Sequence, residues 1–350
     1  MTSDSPGGGE TAALESPRAF ISAREVAARA GVSRSAVSRT FTPGASVSAE
    51  TRQRVLAAAA ELGYHVNHLA RGLMLRETGI VCLIVSDIES PQQARLVRAI
   101  TGALQDAGKV AMVLSIEGTG HDAAAALRQT LNYRADATVV MSGTPSEALV
   151  QTCLDNGQRL ILINRDTRAD GPDTVRLDNA GAARIALTLL IRAGCRRLAV
   201  IGTELGTPSL RTREEAFVAA ARAVGLEPAV ERIGLITSYD NGAAAAHRLL
   251  AATAPPDGIF CVNDVTACGV IDAARHDFAL RVPEDLSVIG FDDIKQAAWL
   301  SYGLTTFSQP IGEIADNVCR MVATRAGERS PLHVELTPKL VWRRSVRVAR

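Results

Sequence analysis

The stretch "GVSRSAVSRTF", Gly31 to Phe41, decides how this chain is read. Taken as a helix at about 100° per residue from Arg34, it places Ser38, Ser35 and Arg39 within an arc of roughly 140°. Ala36, Thr40, Val37 and Phe41 fill the opposite arc. One face offers guanidinium forks and hydroxyls to an outside partner, and the other packs on a small core. By itself the pattern fits any amphipathic surface helix, so the flanking residues have to decide.

Upstream, "ISAREVAARAG" carries Ser22 and Glu25 at capping-box spacing, with Val26 and Ala30 on one face and Gly31 as a stop. Ser33 is placed to cap the helix that follows. Pro43 and Gly44 break that helix, and Ser48 caps a third, "AETRQRVLAAAAELG", expected to turn Val55, Leu56, Ala59 and Leu62 inward and to end at Gly63. Helix, short glycine turn, helix is the spacing of a DNA-binding helix-turn-helix, whose second helix enters the major groove. Charge agrees with this. The whole chain of 350 residues is nearly neutral, yet residues 18–76 hold nine arginines against three glutamates, a net of +6. A basic unit of this kind suits a polyanion, because each neutralised phosphate releases counterions.

From Ile80 the pattern changes. Apolar runs such as "IVCLIV", "VAMVLSI", "RLILIN", "RLAVIG", "GIFCV" and "LSVIGF" alternate with alanine-rich helical stretches. This implies an α/β core of doubly wound parallel sheets, and about ten strands are too many for one small open sheet, so two lobes are expected. The loops after these runs read "SDIES", "NRDTR", "VNDVT" and "GFDD", which puts amides and carboxylates at the strand ends, where such folds bind hydrogen-bonding ligands. Each loop read singly is equally a solvated turn.

Several classes are disfavoured. No run of about 18 apolar residues is present, and the N-terminus "MTSDSPGGGETAALESP" has no secretory pattern, so no membrane partner and a cytoplasmic location are expected, with residues 1–17 a disordered leader. Six scattered cysteines fit reduced thiols, and His65 and His68 lack companion ligands, so neither metal nor cofactor is expected. "GTGHDA" lacks the downstream carboxylate of a dinucleotide site, and no P-loop, G-x-S-x-G or H-E-x-x-H occurs, which favours a binding protein over an enzyme.

The segments "EVAARAGVSRSAVSRTF", "VSAETRQRVLAAAAELGYHVNHLARGL", "VRLDNAGAARIA", "VNDVTACGVIDAA", "VPEDLSVIGFDD" and "LTTFSQP" resemble, in order, the lactose-repressor (LacI/GalR) family of bacterial regulators over residues 20–348. The resemblance implies an N-terminal helix-turn-helix domain (18–66), a hinge helix (67–77) and a two-lobed, periplasmic-binding-protein-like core (78–350). Its first lobe would take residues 78–163 and 310–328, and its second 164–309 and 329–350. It further implies a homodimer on near-palindromic double-stranded operator DNA, with a small effector between the lobes. By match, Arg34, Ser35 and Arg39 read bases, Ser33 and Ser38 face phosphates, and Ala70, Arg71 and Leu73 belong to the hinge, with Leu73 wedged into the minor groove. Effector contacts fall on Asn164, Ser209, Arg213, Asn263 and Asp292. Three departures stand out: Gly72 in the hinge where serine is common, Gln92 and Gln93 in place of aromatics, and Thr237 where other members carry one. The expected effector is therefore polar and carbohydrate-like. The competing reading, a transport protein with a basic extension, would call for an export signal.

Overall fold

The computed structural model describes residues 20–42, 44–66, 77–116, 121–141, 146–165, 171–324 and 330–348. The chain divides into two units, Met1–Arg76 and Glu77–Arg350. The leader and the hinge positions Ala70, Arg71, Gly72 and Leu73 lie outside the described residues.

In the first unit, α1 (Ala23–Ala30), α2 (Arg34–Thr40) and α3 (Ala49–Leu62) have the ends that the sequence specifies. Glu25 N–H donates to Ser22 Oγ at 3.4 Å and Ser22 N–H donates to Glu25 Oε2 at 2.8 Å, completing the capping box. Gly31 closes α1 with φ 64°, a left-handed turn that costs glycine nothing and lets α2 start three residues later. Val26, Ala27, Ala30, Val37, Val55, Ala58 and Ala59 form a core of mostly small side chains, flanked by Phe41 and Tyr64 with ring centroids 5.6 Å apart. One expectation is corrected here. Leu56 is 47% exposed, because the inward stripe of α3 runs through Val55, Ala58, Ala59 and Leu62 and Leu56 sits about 100° off it. Across the unit, Arg52 Nη1 donates to Thr40 O at 2.9 Å and Arg29 pairs with Glu61 at 2.6 Å.

The second unit contains two parallel sheets. The first runs β11-β5-β4-β3-β1-β2, with β1 (Ile80–Ser86), β2 (Val110–Ile116), β3 (Ala137–Val140), β4 (Arg159–Ile163), β5 (Asp173–Leu177) and β11 (His333–Leu336). The second runs β7-β6-β8-β9, with β6 (Leu198–Gly202), β7 (Ala229–Arg232), β8 (Gly258–Cys261) and β9 (Ser287–Ile289). β10 (Thr306–Ser308) pairs antiparallel with β12 (Lys339–Val341). Interior strands such as "IVCLIVS" are buried on both faces, as parallel sheets covered by helices require. On the first sheet lie α4 (Pro91–Asp106), α5 (His121–Asn132), α6 (Glu147–Asp155) and α11 (Ile311–Val322); α7 (Asn179–Arg192), α8 (Pro208–Ala223), α9 (Tyr239–Leu250) and α10 (Asp264–His276) serve the second. Among the described residues, no helix is long and apolar enough to cross a membrane.

The expected lobe limits are corrected by this topology. β5 and β11, assigned from the sequence to the second lobe, complete the first sheet. The cause is polar as well as apolar: Arg159 on β4 holds Asp173 on β5 at 2.8 Å with both side chains buried, and Asp173 Oδ1 accepts from Leu332 N at 2.7 Å. That buried ion pair has its full worth only when the strands stay together.

Candidate functional site

On α2 the two arcs separate as the sequence predicts. Arg34, Ser35, Ser38 and Arg39 are exposed while Val37 and Thr40 are buried. Ser33 caps the helix by accepting from Ala36 N at 3.2 Å, and its hydroxyl lies 2.8 Å from that of Ser35. No acidic side chain pairs with Arg34 or Arg39 among the described residues, so both guanidinium groups present five donors each to the outside.

Three of the effector candidates, Asn164, Arg213 and Asp292, are linked where strands of the core end. Asn164, at the end of β4 with φ 51°, accepts through Oδ1 from Leu177 N at 3.1 Å. Leu177 O accepts from Asn179 Nδ2 at 3.1 Å, and Asn179 Oδ1 accepts from Arg213 Nε at 2.8 Å. Arg213 Nη1 donates to Val262 O at 2.7 Å and lies 3.9 Å from Asp292 Oδ1, which in turn accepts from Gln309 Nε2 at 2.6 Å. The guanidinium also lies 3.4 Å over the ring of Phe291. Asn164, Arg213 and Asp292 are thus joined in one chain of polar contacts that passes from the first lobe to the second.

Asn263 stands beside the chain, next to Val262, with its Oδ1 capping α10 at 3.1 Å from Thr266 N. Ser209 lies one turn before Arg213 on α8, and its hydroxyl is 3.1 Å from Thr207 Oγ1, outside the chain. Sequence reasoning missed Asn179, Asp264, Phe291 and Gln309. Each lies within a segment that carried the family resemblance, but their partners are distant in sequence. Gln92 fills the place of a missing aromatic, and both its amide atoms are buried without a hydrogen-bond partner. The surroundings are not wholly polar, since Leu205, Leu235 and Ile236 stand exposed in the adjoining loops after β6 and β7.

Burial dominates the electrostatics. Desolvation pushes the Asp264 carboxyl up to about 7, aided by nearby Asp292 and opposed by hydrogen bonds from Thr306 and Ile294. Desolvation likewise raises Asp292 to about 6 against the pull of Arg213, Gln309 and Arg95. It lowers Arg213 to about 10, which the two aspartates resist.

A pH dependence follows. The ordinary aspartate value is 3.8, so between that and about 7 the folded chain retains a proton on Asp264 that the unfolded chain has released. Its contribution to stability is complete below the unfolded value and is lost as pH rises through about 7. Asp264→Asn should therefore gain on the wild type by on the order of 2–3 kcal/mol between about pH 5 and about pH 8. Urea unfolding at both pH values measures this, and a constant difference would refute it.

A capped helix-turn-helix with an exposed cationic face, followed by two parallel-sheet lobes around a buried polar chain, is the architecture of a DNA-binding regulator with a periplasmic-binding-protein-like core. Residues 22–67 match the family described as bacterial regulatory proteins, lacI family, and residues 187–346 match the periplasmic binding protein-like domain. The HTH-type transcriptional repressor PurR of Erwinia tasmaniensis is 31% identical over 334 residues, 92% of this chain and 96% of that protein. Among solved structures, the lac repressor dimer bound to operator and the anti-inducer ONPF superimposes with a TM-score of 0.81 at 22% identity, covering 93% and 99% of the two chains. The complex of the transcriptional regulator CelR with cellobiose gives 0.68 at 26% identity, over 93% and 99%. This chain belongs to the lacI family of bacterial regulatory proteins and is a transcriptional regulator, not an enzyme.

Proposed function

We propose that this chain is a homodimeric repressor of a near-palindromic operator, whose DNA affinity is set by a small polar, carbohydrate-like effector held between the lobes. The observation that carries the effector reading is the polar chain from Asn164 through Asn179 and Arg213 to Asp292 and Gln309, which links both lobes around a buried cation. An effector that exchanges hydrogen bonds with Arg213 and Asp292, and with Asn164, Ser209 and Asn263 around them, shifts the balance of lobe arrangements by its differential contacts with each. CelR, solved with cellobiose, supports a carbohydrate-like class.

On DNA, Arg34, Ser35 and Arg39 read base edges while Ser33 and Ser38 meet phosphates, and Ala70, Arg71 and Leu73 act at the centre of the operator. Dimerisation is supported by an apolar groove on the first lobe lined by Ile88, Val97, Thr101 and Val113, and by exposed Trp299 and Leu300 on the second.

Selection of bound duplexes from random DNA tests the first half of the proposal: a two-fold symmetric site is expected, and selection of none would overturn it. A thermal-shift screen of sugars, sugar acids, polyols and nucleosides tests the second. A true effector at 100 times its Kd adds about 2.7 kcal/mol, and stabilisation by nucleosides alone would replace the carbohydrate class.

A further inference from the structure

We infer that Arg95 is a latch between the two lobes, holding them together by donating hydrogen bonds from α4 of the first lobe to the main chain of Asp292 and Asp293 in the second. Arg95 Nη1 lies 2.5 Å from Asp293 O and 3.5 Å from Asp292 O. Its helix belongs to the first lobe, where α4 packs on β1, β2 and α11, whereas the two aspartates follow β9 of the second sheet. The contact therefore bridges two bodies.

The acceptor side is built before Arg95 reaches it. Asp292 and Asp293 have φ of 115° and 53°; the second is a left-handed value that aspartate tolerates, whereas the first lies beyond that region and persists only where its surroundings hold it. They do so from within the second lobe and the segment next to it. Gln309 Nε2 holds Asp292 Oδ1 at 2.6 Å, and Asp292 N donates to Phe307 O at 2.9 Å. Arg343 Nη2 holds Asp293 Oδ1 at 2.6 Å, and Ile294 N donates to Asp264 Oδ2 at 2.9 Å. A fixed bend with two carbonyl groups within reach of one guanidinium is a preorganised acceptor, so docking Arg95 does not have to order a loop.

The latch engages the backbone of the same residue whose carboxylate ends the polar chain at Arg213. Lobe closure and the setting of that carboxylate are thereby tied together. A ligand that binds only closed lobes has its apparent affinity scaled by the closed fraction, so loss of the latch would weaken every such ligand by one common factor. The latch itself depends only on the core, and its test needs neither DNA nor effector.

The test is single-molecule energy transfer in the full-length protein, with one donor and one acceptor attached through unnatural residues at Arg128 on α5 and Ala223 on α8, both exposed. A hydrogen bond with a charged donor shifts an equilibrium about ten- to hundred-fold, so Arg95→Met should enlarge the long-distance population by at least about ten-fold. Arg95→Lys, which keeps a charged donor, should return most of the short-distance population. A folded Arg95→Met protein, by circular dichroism, with the wild-type distance distribution would overturn the latch. So would a lowered melting temperature without any lengthening, which marks a purely local packing role. If the methionine variant does not fold, Arg95→Gln is read by the same distances and the same criteria.

Discussion

Arg213→Met is expected to lose about 3–5 kcal/mol of stability and all response to effector, because it removes one partner of a buried charge network. Arg213 is 3% exposed, and its one guanidinium serves Asn179, Val262 and Asp292 at once. Methionine comes close to filling the volume but offers no donor. Asn179 Oδ1 and Val262 O are then left with an acceptor unsatisfied, and Asp292 loses the larger of the two charges that oppose its desolvation, with Arg95 remaining. Adding Asp292→Asn should recover part of the loss, since an amide tolerates the dry site better than a lone carboxylate. A double-mutant cycle by urea unfolding reads both numbers. A single-variant loss below about 1 kcal/mol would mean that the guanidinium is in practice solvated.

The second large effect belongs to DNA. Arg34→Ala should weaken operator binding by about 1–3 kcal/mol in each half-site, hence roughly 30-fold or more for a symmetric dimer. It should also relax preference at one base pair per half-site. Fluorescence anisotropy against duplexes substituted one base pair at a time gives the pattern. Weakening that is equal for every sequence would make Arg34 a phosphate contact, the behaviour expected instead of Ser38→Ala.

The reading unit was legible because its signals are local. Ser22 with Glu25, Gly31, Ser33, Ser48 and Gly63 each determine a helix end through a bond to a residue three or four positions away. Leu56 was misplaced since its neighbours in a run of apolar residues blur the stripe. β5 was hidden for a different reason: "DTVRL" contains an aspartate and an arginine, and partners distant in sequence, Arg159 and the main chain of Leu332, make Asp173 a core residue. The polar chain is the extreme case. Nothing in the sequence near Asn179 or Gln309 reveals that both serve Arg213 and Asp292. Arg95 reads as one more surface charge on an amphipathic helix until the main chain of Asp293 is placed opposite it.

The position of β11 at the edge of the first sheet has a consequence for how the protein is made. β5 acquires its outer neighbour only when residues 333–336 leave the ribosome, about 160 residues after β5 itself. At 5–20 residues per second the wait is roughly 8–32 seconds. Throughout it the nascent first lobe shows one row of unpaired amides and carbonyls, an invitation to pair with another nascent chain. The small N-terminal helical unit has no such dependence and can be finished first. Chaperone demand during synthesis should therefore centre on the core, and a ribosome stalled before residue 333 would carry a folded DNA-binding unit ahead of an incomplete sheet.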